Sequence, residues 1–283
     1  MPAVEPVDAY QRRKAELGAA IKERREAKRW TQAMLGKAIA VDHTYIAHFE
    51  KGRHVPRRDT ARRIDKALEA GGVIFKLRDE LDDNPDSPRW QRFLRSQSRA
   101  SAICHVTNIV PAVLETPEHT RAALEHGLQF YGGSLEDKIT YRAELRRTLR
   151  SPDPPHFGCI LWESALQVVT GSSQVMREQL LHLIDRSHEA HVDLRILRFA
   201  DSAGLVDTGT VVVWTRSNGT KQAWRDEAGS PGVFISDKRR VSNLALFYDQ
   251  LRFHALGQEE SRAFIRKTVE DLYPCRPNTL TCP

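Results

Sequence analysis

Cysteine is scarce in this sequence and long apolar runs are missing, and both features restrict the class of protein. The 283 residues include only four cysteines, scattered at Cys104, Cys159, Cys275 and Cys282, which is typical of free thiols and not of a secreted disulfide framework. No stretch approaches the roughly 18 apolar residues of a transmembrane helix. The N-terminus lacks a basic segment and an apolar core, so it predicts no secretory signal. The sequence thus predicts a cytoplasmic protein that does not enter a membrane.

The motifs of common enzyme classes are also missing. The chain contains no Gly-x-Ser-x-Gly, no phosphate loop ending in Gly-Lys-Ser/Thr and no His-Glu-x-x-His. Cys104 and His105 are adjacent, which would point their side chains apart on a helix. His188 and His191 have a spacing that permits a metal site, but no cysteine or carboxylate accompanies them at a fixed spacing. We therefore expect a protein that is not an enzyme and that needs no metal or other cofactor.

Residues 17–68 carry the most informative pattern of the chain. Thr31 and Asp42, eleven residues apart, are suitable N-caps for two short helices, and Gly52 is suited to end the second. The predicted apolar faces are Met34, Leu35, Ala38 and Ile39 in the first helix and Ile46 and Phe49 in the second. Three or four residues remain for the turn. This spacing predicts a helix-turn-helix, whose second helix can enter a DNA major groove.

The net positive charge is confined to the same part of the chain. Residues 1–80 contain 18 Lys or Arg and 12 Asp or Glu, whereas residues 81–283 contain 25 of each class. The whole formal charge of +6 therefore resides in the first 80 residues. An excess of this kind around a helix-turn-helix is what neutralisation of DNA phosphates requires.

The polar face of the second helix supplies the candidates for DNA contacts. If Ile46 and Phe49 face the core, the small and polar side chains on the opposite side of this helix point outward. We predict base contacts from His43, Thr44 and His48, and phosphate contacts from Gln32, Tyr45, Lys51 and Arg53. Gln32 is also placed to brace His43. The alternative is an ordinary pair of helices with a solvated polar face.

Residues 17–68 resemble the xenobiotic-response-element type of helix-turn-helix, a phage-repressor-like family. The matching positions are Thr31-Gln32, Leu35, Val41, Ile46, Phe49-Glu50-Lys51-Gly52 and Pro56. Two positions depart from the usual pattern, because Gly36 stands where alanine is usual and Ala40 stands where the turn glycine is usual. Alanine at a positive φ costs about 1 kcal/mol, so we expect a slightly remodelled turn.

Turn signals divide the chain into segments. We predict a five-helix, phage-repressor-like DNA-binding domain over residues 1–81, an acidic, proline-broken linker over residues 82–89, and a disordered tail over residues 274–283. Residues 90–273 predict an α+β domain that begins with a helix from about Trp90 to His105. Three or four strands lie between its helices, with a hairpin near Ser217-Asn218-Gly219. The fold class is therefore mainly α with a small sheet.

Four short signatures follow one another in the second part of the chain. They are Val110–Pro117 with His119–Ala122, Glu163–Leu166 with Met176–Leu180, Leu194–Leu197, and Ala255-Leu256 with Ser261 and Ile265. In this order they resemble the C-terminal domain, often described only as a domain of unknown function, of actinobacterial antitoxin-like regulators. Departures at Ala112, Glu115, His119 and Thr120 mark a divergent member. The resemblance implies a cytoplasmic, nucleoid-associated transcriptional regulator, often encoded beside a small protein that this domain binds.

Three functions are compatible with these features. The first is a sequence-specific regulator that binds double-stranded DNA as a homodimer. The second is an antitoxin-like or adaptor protein that neutralises a small partner and uses DNA binding for autoregulation. The third is a regulator with a ligand-sensing or enzymatic C-terminal domain. Co-purification with the product of an adjacent gene would favour the second function, and a thermal shift with a metabolite would favour the third.

Overall fold

The computed structural model describes residues 9–82, 87–131, 134–202, 209–227 and 230–274. Two compact units are present: the first comprises the residues up to Arg92 together with Phe130–Asp137, and the second comprises Phe93–Gln129 and the residues from Lys138 onward. The predicted class, mainly α with a small sheet, is confirmed. Residues 83–86 of the predicted linker and 275–283 of the predicted tail lie outside the described residues, and the domain bounds stay predictions. None of the described helices has the length and apolar character needed to cross a bilayer.

Five helices lie before residue 83 in the described residues. They are α1 (Ala9–Ala27), α2 (Gln32–Ala38), α3 (His43–Glu50), α4 (Arg58–Leu68) and α5 (Val73–Asp82). Their shared core includes Leu17, Ile21, Leu35, Ile46, Ile64 and Ile74, all at most 2% exposed. Burial of these side chains removes their apolar surface from water, which is the main force that holds the helices together.

The predicted apolar face of α2 is wrong at two of its four positions. Leu35 and Ile39 are buried, but Met34 is 48% exposed and Ala38 is exposed. Met34 and Ala38 are four residues apart and therefore share a face, which is turned about 100° from the face of Leu35 and Ile39. The core side of α2 is completed by Gly36, which is buried.

A close approach of two backbones positions α3 against α1. A Cβ atom added to Gly18 of α1 would lie 2.5 Å from the Glu50 carbonyl oxygen and 2.6 Å from that of Phe49. Any larger residue would therefore push α3 away from α1. The orientation of α3 depends on this glycine.

The second unit is built on one sheet of six described strands. They are β1 (Ala102–Thr107), β2 (His156–Trp162), β3 (Val192–Leu197), β4 (Val211–Thr215), β5 (Lys221–Glu227) and β6 (Ser230–Ile235). Their order in the sheet is β3-β2-β1-β4-β5-β6. Strand β2 is parallel to both of its neighbours, β1 and β3. The pairs β1–β4, β4–β5 and β5–β6 are antiparallel. The predicted hairpin is present between β4 and β5, where Gly219 has a φ of +78°.

Helices pack on both faces of this sheet. The described helices after residue 87 are α6 (Pro88–Ser98), α7 (Pro117–Tyr131), α8 (Leu135–Arg147), α9 (Ser164–Gln167), α10 (Ser173–Arg186), α11 (Lys238–His254) and α12 (Gln258–Leu272). On one face, Val241, Tyr248 and Leu251 of α11 pack against strand residues such as Ile160 and Val213. On the other, Phe93 of α6 contacts the ring of Trp214 edge to face at 4.9 Å between ring centroids.

Two predictions for the sheet are wrong. The predicted helix from Trp90 to His105 ends at Ser98, and Ala102–Thr107 instead forms β1 between β2 and β4. Cys104 and His105 therefore point to opposite faces of a strand. The sequence analysis also missed β6, because its proline and glycine are typical of loops. Pairing with β5, such as Ala223 with Ile235, decides its conformation.

The paired histidines of the sequence analysis do not share a helical face. His188 and His191 lie beyond the end of α10, and His191 Nε2 lies 3.2 Å from the Leu149 carbonyl oxygen. Within the part of the chain that the structure describes, no three His, Cys, Asp or Glu side chains are grouped as a metal site requires.

Asp193 joins strand β3 to helices α11 and α12. Its carboxylate accepts hydrogen bonds from Arg195 Nε at 2.9 Å, from Arg252 Nε and Nη2 at 3.0 Å each, and from Gln258 Nε2 at 3.0 Å. Burial by itself raises the pKa of Asp193, but the hydrogen bonds of Arg252, Arg195 and Gln258 outweigh it, so this pKa lies below its usual value. The charged form of Asp193 therefore stabilises the fold.

The variant Asp193→Asn is expected to destabilise the second unit by about 1–3 kcal/mol near neutral pH. Because the pKa is lower in the folded state, the stabilisation is present above the unfolded pKa of about 3.9 and is lost as the pH falls through the folded pKa. Urea unfolding near neutral pH and near pH 3 should show that the difference in free energy of unfolding between parent and variant becomes smaller in acid. Asp153→Asn, at an exposed carboxylate, is the control. An equal difference at both pH values would contradict the stabilising role of the charged Asp193 carboxylate.

Candidate nucleic-acid interface

Both predicted helix caps are confirmed. Thr31 Oγ1 accepts a hydrogen bond from Met34 N at 3.1 Å at the start of α2. Asp42 Oδ1 accepts one from Thr44 N at 2.8 Å at the start of α3. The hydrogen bonds with Thr44 lower the pKa of Asp42, so its carboxylate is charged at neutral pH. These caps satisfy N–H groups that a helix leaves unpaired at its first turn.

The two residues that depart from the family pattern meet in the turn between α2 and α3. Ala40 has a φ of +52°, the left-handed conformation in which glycine is usual. Val41 N donates to the Gly36 carbonyl oxygen at 2.9 Å. A Cβ atom at Gly36 would lie only 2.6 Å from the Val41 carbonyl oxygen. The turn therefore excludes an alanine at position 36 while it strains the alanine at position 40.

The variant Ala40→Gly is expected to stabilise the first unit by about 0.5–1 kcal/mol. Relief of the strain at positive φ outweighs the added freedom of the unfolded chain. Denaturant unfolding followed by circular dichroism measures this gain. Gly36→Ala is the matched control and should destabilise by about 1–3 kcal/mol, since its methyl group overlaps the turn backbone. A loss of stability in Ala40→Gly would contradict the strained turn.

Helix α3 presents the side that the sequence analysis assigned to DNA. Ile46 is fully buried and Phe49 is 7% exposed. His43, Thr44 and Tyr45 are exposed and His48 is half-buried. All four candidates on this helix are thus accessible to solvent, and their roles stay predictions.

His54 belongs to the same surface, and the sequence analysis missed it. The chain folds back after α3, where Arg53 N and His54 N both donate to the His48 carbonyl oxygen, at 2.9 and 3.3 Å. The His54 ring then lies edge to face on His48 at 4.8 Å and 6.4 Å from the Tyr45 ring, between centroids. Helical spacing does not extend past Gly52, so no periodic signal in the sequence identifies His54.

Gln32 does not brace His43 as predicted; it binds Glu50. Gln32 Nε2 donates to Glu50 Oε2 at 2.8 Å. Glu50 also forms a bidentate pair with Arg25, whose Nε and Nη2 donate to the two carboxylate oxygens at 2.5 and 3.0 Å. Arg25 Nη1 donates to the Trp30 carbonyl oxygen at 2.7 Å. This network ties α1, α2 and α3 together and fixes the first turn of α2 against the end of α3.

The cations that flank the motif divide into two groups. Arg25 and Lys28 are held by protein acceptors, as is Arg58, which pairs with Asp79. Lys51, Arg53 and Arg57 follow α3, are exposed, and form no ion pair with any described residue. The last group leaves three cations free for phosphates beside the polar face of α3. Lys51 and Arg53 are among the predicted phosphate contacts.

Comparisons with known proteins agree with this geometry. Residues 16–74 match the family described as "Helix-turn-helix domain", and residues 90–267 match the family described as "Domain of unknown function (DUF5753)". The chain is also similar to the "ImmF control region 10 kDa protein" of Bacillus phage phi105. They are 39% identical over 61 residues, which cover 22% of this chain and 68% of that protein. No solved structure matches the chain significantly.

Proposed function

We propose that this protein is a sequence-specific transcriptional regulator. The chain belongs to the family of the domain of unknown function DUF5753 and carries a helix-turn-helix domain. DNA binding and regulation follow from the helix-turn-helix match and from the similarity to a phage control-region protein. Sequence specificity is the further step. We also propose that the protein acts in the cytoplasm at the nucleoid and works by binding, without catalysis.

The observation that carries this proposal is the accessible face of α3. His43, Thr44 and His48 offer ring nitrogens and a hydroxyl, which are groups that read base edges in the major groove. Lys51 and Arg53 lie just beyond the helix and are free to bind the adjacent phosphates. Buried Ile46 and Phe49 hold the helix in place.

We assign the first unit to the xenobiotic-response-element type of helix-turn-helix and expect it to act as a homodimer. The segment Thr31-Gln32 and the segment Phe49–Gly52 support this assignment, as do the two caps. A two-fold dimer places two recognition helices about one helical turn of DNA apart, so its operator is expected to be palindromic.

Selection of genomic fragments with the purified protein at two salt concentrations tests the proposal. We expect an enriched palindromic motif that survives moderate salt. Binding that disappears as salt is raised and enriches no motif would contradict specificity, because it would reflect phosphate attraction alone.

A second candidate function is binding of a small partner protein by the second unit, as in an antitoxin-like or adaptor protein. Phe253 of α11 is 86% exposed and Leu246, seven residues earlier on the same helix face, is 61% exposed. Large apolar side chains exposed together are typical of protein interfaces. Co-expression with the product of the adjacent gene tests it, and Phe253→Asp should abolish the complex. Retention of the complex in that variant would exclude this face as the interface.

A further inference from the structure

Helix α11 begins with three adjacent cations. Lys238, Arg239 and Arg240 form its first turn, and all three are exposed. Among the described residues, no carboxylate lies within ion-pair distance of any of these side chains. The first turn of a helix is the positive end of its dipole, where anions are favourable and cations are not. This end of α11 therefore concentrates positive charge that the described part of the protein does not neutralise.

Arg239 begins a row of exposed side chains that continues through two apolar residues. Leu246 and Phe253 follow at intervals of seven residues, which places all three on one side of the helix. Val241 and Tyr248 lie on the opposite side and are buried. The name α11 stripe is used below for Arg239, Leu246 and Phe253. The stripe joins a basic end to 61% and 86% exposed apolar side chains.

The helix that carries the α11 stripe is firmly attached to the sheet. Val241, Tyr248 and Leu251 are at most 6% exposed and pack in the core of the second unit. Arg252 Nε and Nη2 donate to Asp193 Oδ2 of β3 at 3.0 Å each. A surface that is already ordered loses little conformational entropy when a partner binds to it.

The α11 stripe lacks a counter-charge of its own. Asp249 is the only acidic residue within α11. It lies ten residues from Arg239, which is about 15 Å along the helix axis and beyond ion-pair distance. A partner that covers the stripe must therefore present apolar side chains to Leu246 and Phe253 and carboxylates to the first turn of α11.

A second copy of α11 is a poor match for this surface. An antiparallel pair of these helices centred on Leu246 places Arg239 opposite Phe253 of the other copy. No carboxylate then lies directly opposite the three cations, because Asp249 of each copy faces Asn243 of the other. Complementary charge thus favours a different, acidic partner over self-association.

We propose, on the basis of the second candidate function, that the α11 stripe with Lys238 and Arg240 binds an acidic amphipathic helix of a partner protein. The apolar side of that helix packs on Leu246 and Phe253, and carboxylates near one of its ends pair with the three cations. The stripe extends about 21 Å from Arg239 to Phe253, which corresponds to about four helical turns of the partner.

Fluorescence anisotropy of labelled peptides with the full-length protein tests the proposal. Three synthetic helical peptides of about 20 residues are compared. The first carries leucine on one face and glutamate beside it, the second has lysine in place of glutamate, and the third has serine in place of leucine. We expect saturable binding of the first peptide, about tenfold or more tighter than that of the other two. Excess duplex DNA, which occupies the first unit, should not displace it.

Variants of α11 make the result specific to this surface. Phe253→Asp should weaken binding of the glutamate peptide about tenfold or more. Arg239→Glu combined with Arg240→Glu should do the same and should transfer the preference to the lysine peptide. Val168→Asp, at a 65% exposed apolar residue outside α11, and Arg266→Glu, at an exposed arginine of α12, are the matched controls and should bind as the parent does.

Several outcomes would overturn the proposal. They are no saturable binding of the glutamate peptide, equal binding of the lysine peptide, displacement by duplex DNA, and parent-like binding by the α11 variants. Self-association of the parent that Phe253→Asp abolishes would assign the stripe to a second copy instead. Co-expression with the product of the adjacent gene tests the second candidate function separately. A complex that the α11 variants retain contradicts this surface alone, and peptide binding without any such complex contradicts that function alone.

Discussion

Replacing Glu50 with alanine will destabilise the helix-turn-helix unit by about 3–5 kcal/mol and greatly reduce DNA binding. Arg25 is 7% exposed and the Glu50 side chain is 3% exposed, so the variant leaves a buried guanidinium without its counter-charge. Gln32 loses its acceptor in the same step. Since these contacts join α1, α2 and α3, the recognition helix loses its support together with the charge pair.

Denaturant unfolding of the full chain, followed by hydrogen exchange of the first unit, measures this effect. Glu26→Ala is the matched control, because Glu26 contacts the same arginine at 3.3 Å from a side chain that is 54% exposed. It should cost less than about 1 kcal/mol. Arg25→Met combined with Glu50→Leu should recover part of the loss, because no unpaired charge stays buried. Equal stability of Glu50→Ala and Glu26→Ala would show that the pair does not hold the unit together.

Replacing His43 and His48 together with alanine should remove most of the discrimination between the operator and other DNA. Each contact with a base edge contributes about 1–3 kcal/mol, which is roughly a 10- to 100-fold preference. Binding to non-operator DNA should be almost unchanged, because Lys51 and Arg53 still reach phosphates. Both side chains lie on the accessible side of α3, so the unit should stay folded.

Competition between a selected operator fragment and a scrambled fragment measures this loss. His156→Ala combined with His188→Ala is the matched control, since both residues are exposed histidines of the second unit. Full operator preference in His43→Ala with His48→Ala would show that other residues read the bases. His54, which contacts His48, would then be the next residue to replace.

The helix-turn-helix was predictable because its signals are local. Thr31 and Asp42 cap helices through hydrogen bonds to backbone groups two or three residues away. Ile46 and Phe49 are three residues apart and face the core as helical spacing requires. The positive φ at Ala40 was indicated by the resemblance alone, because the family pattern has its turn glycine at that position. Which of the exposed residues contact DNA stays a prediction.

Other features of the candidate site were not predictable. Arg25 is one of several arginines along α1, and only the fold shows that it pairs with Glu50, 25 residues away. The contact of His54 with His48 depends on the path of the chain after α3.

The sequence by itself determined the N-terminal helix-turn-helix, the confinement of the net positive charge to the first 80 residues of the chain and the α+β class of the second part. Caps, helical spacing and charge depend on residues that are near one another in the chain. Only the tertiary structure decided that Ala102–Thr107 is a strand, that β6 completes the sheet, and which arginines are paired. Strand pairing and buried ion pairs gain their free energy from contacts between distant segments, which overrides weak local preferences.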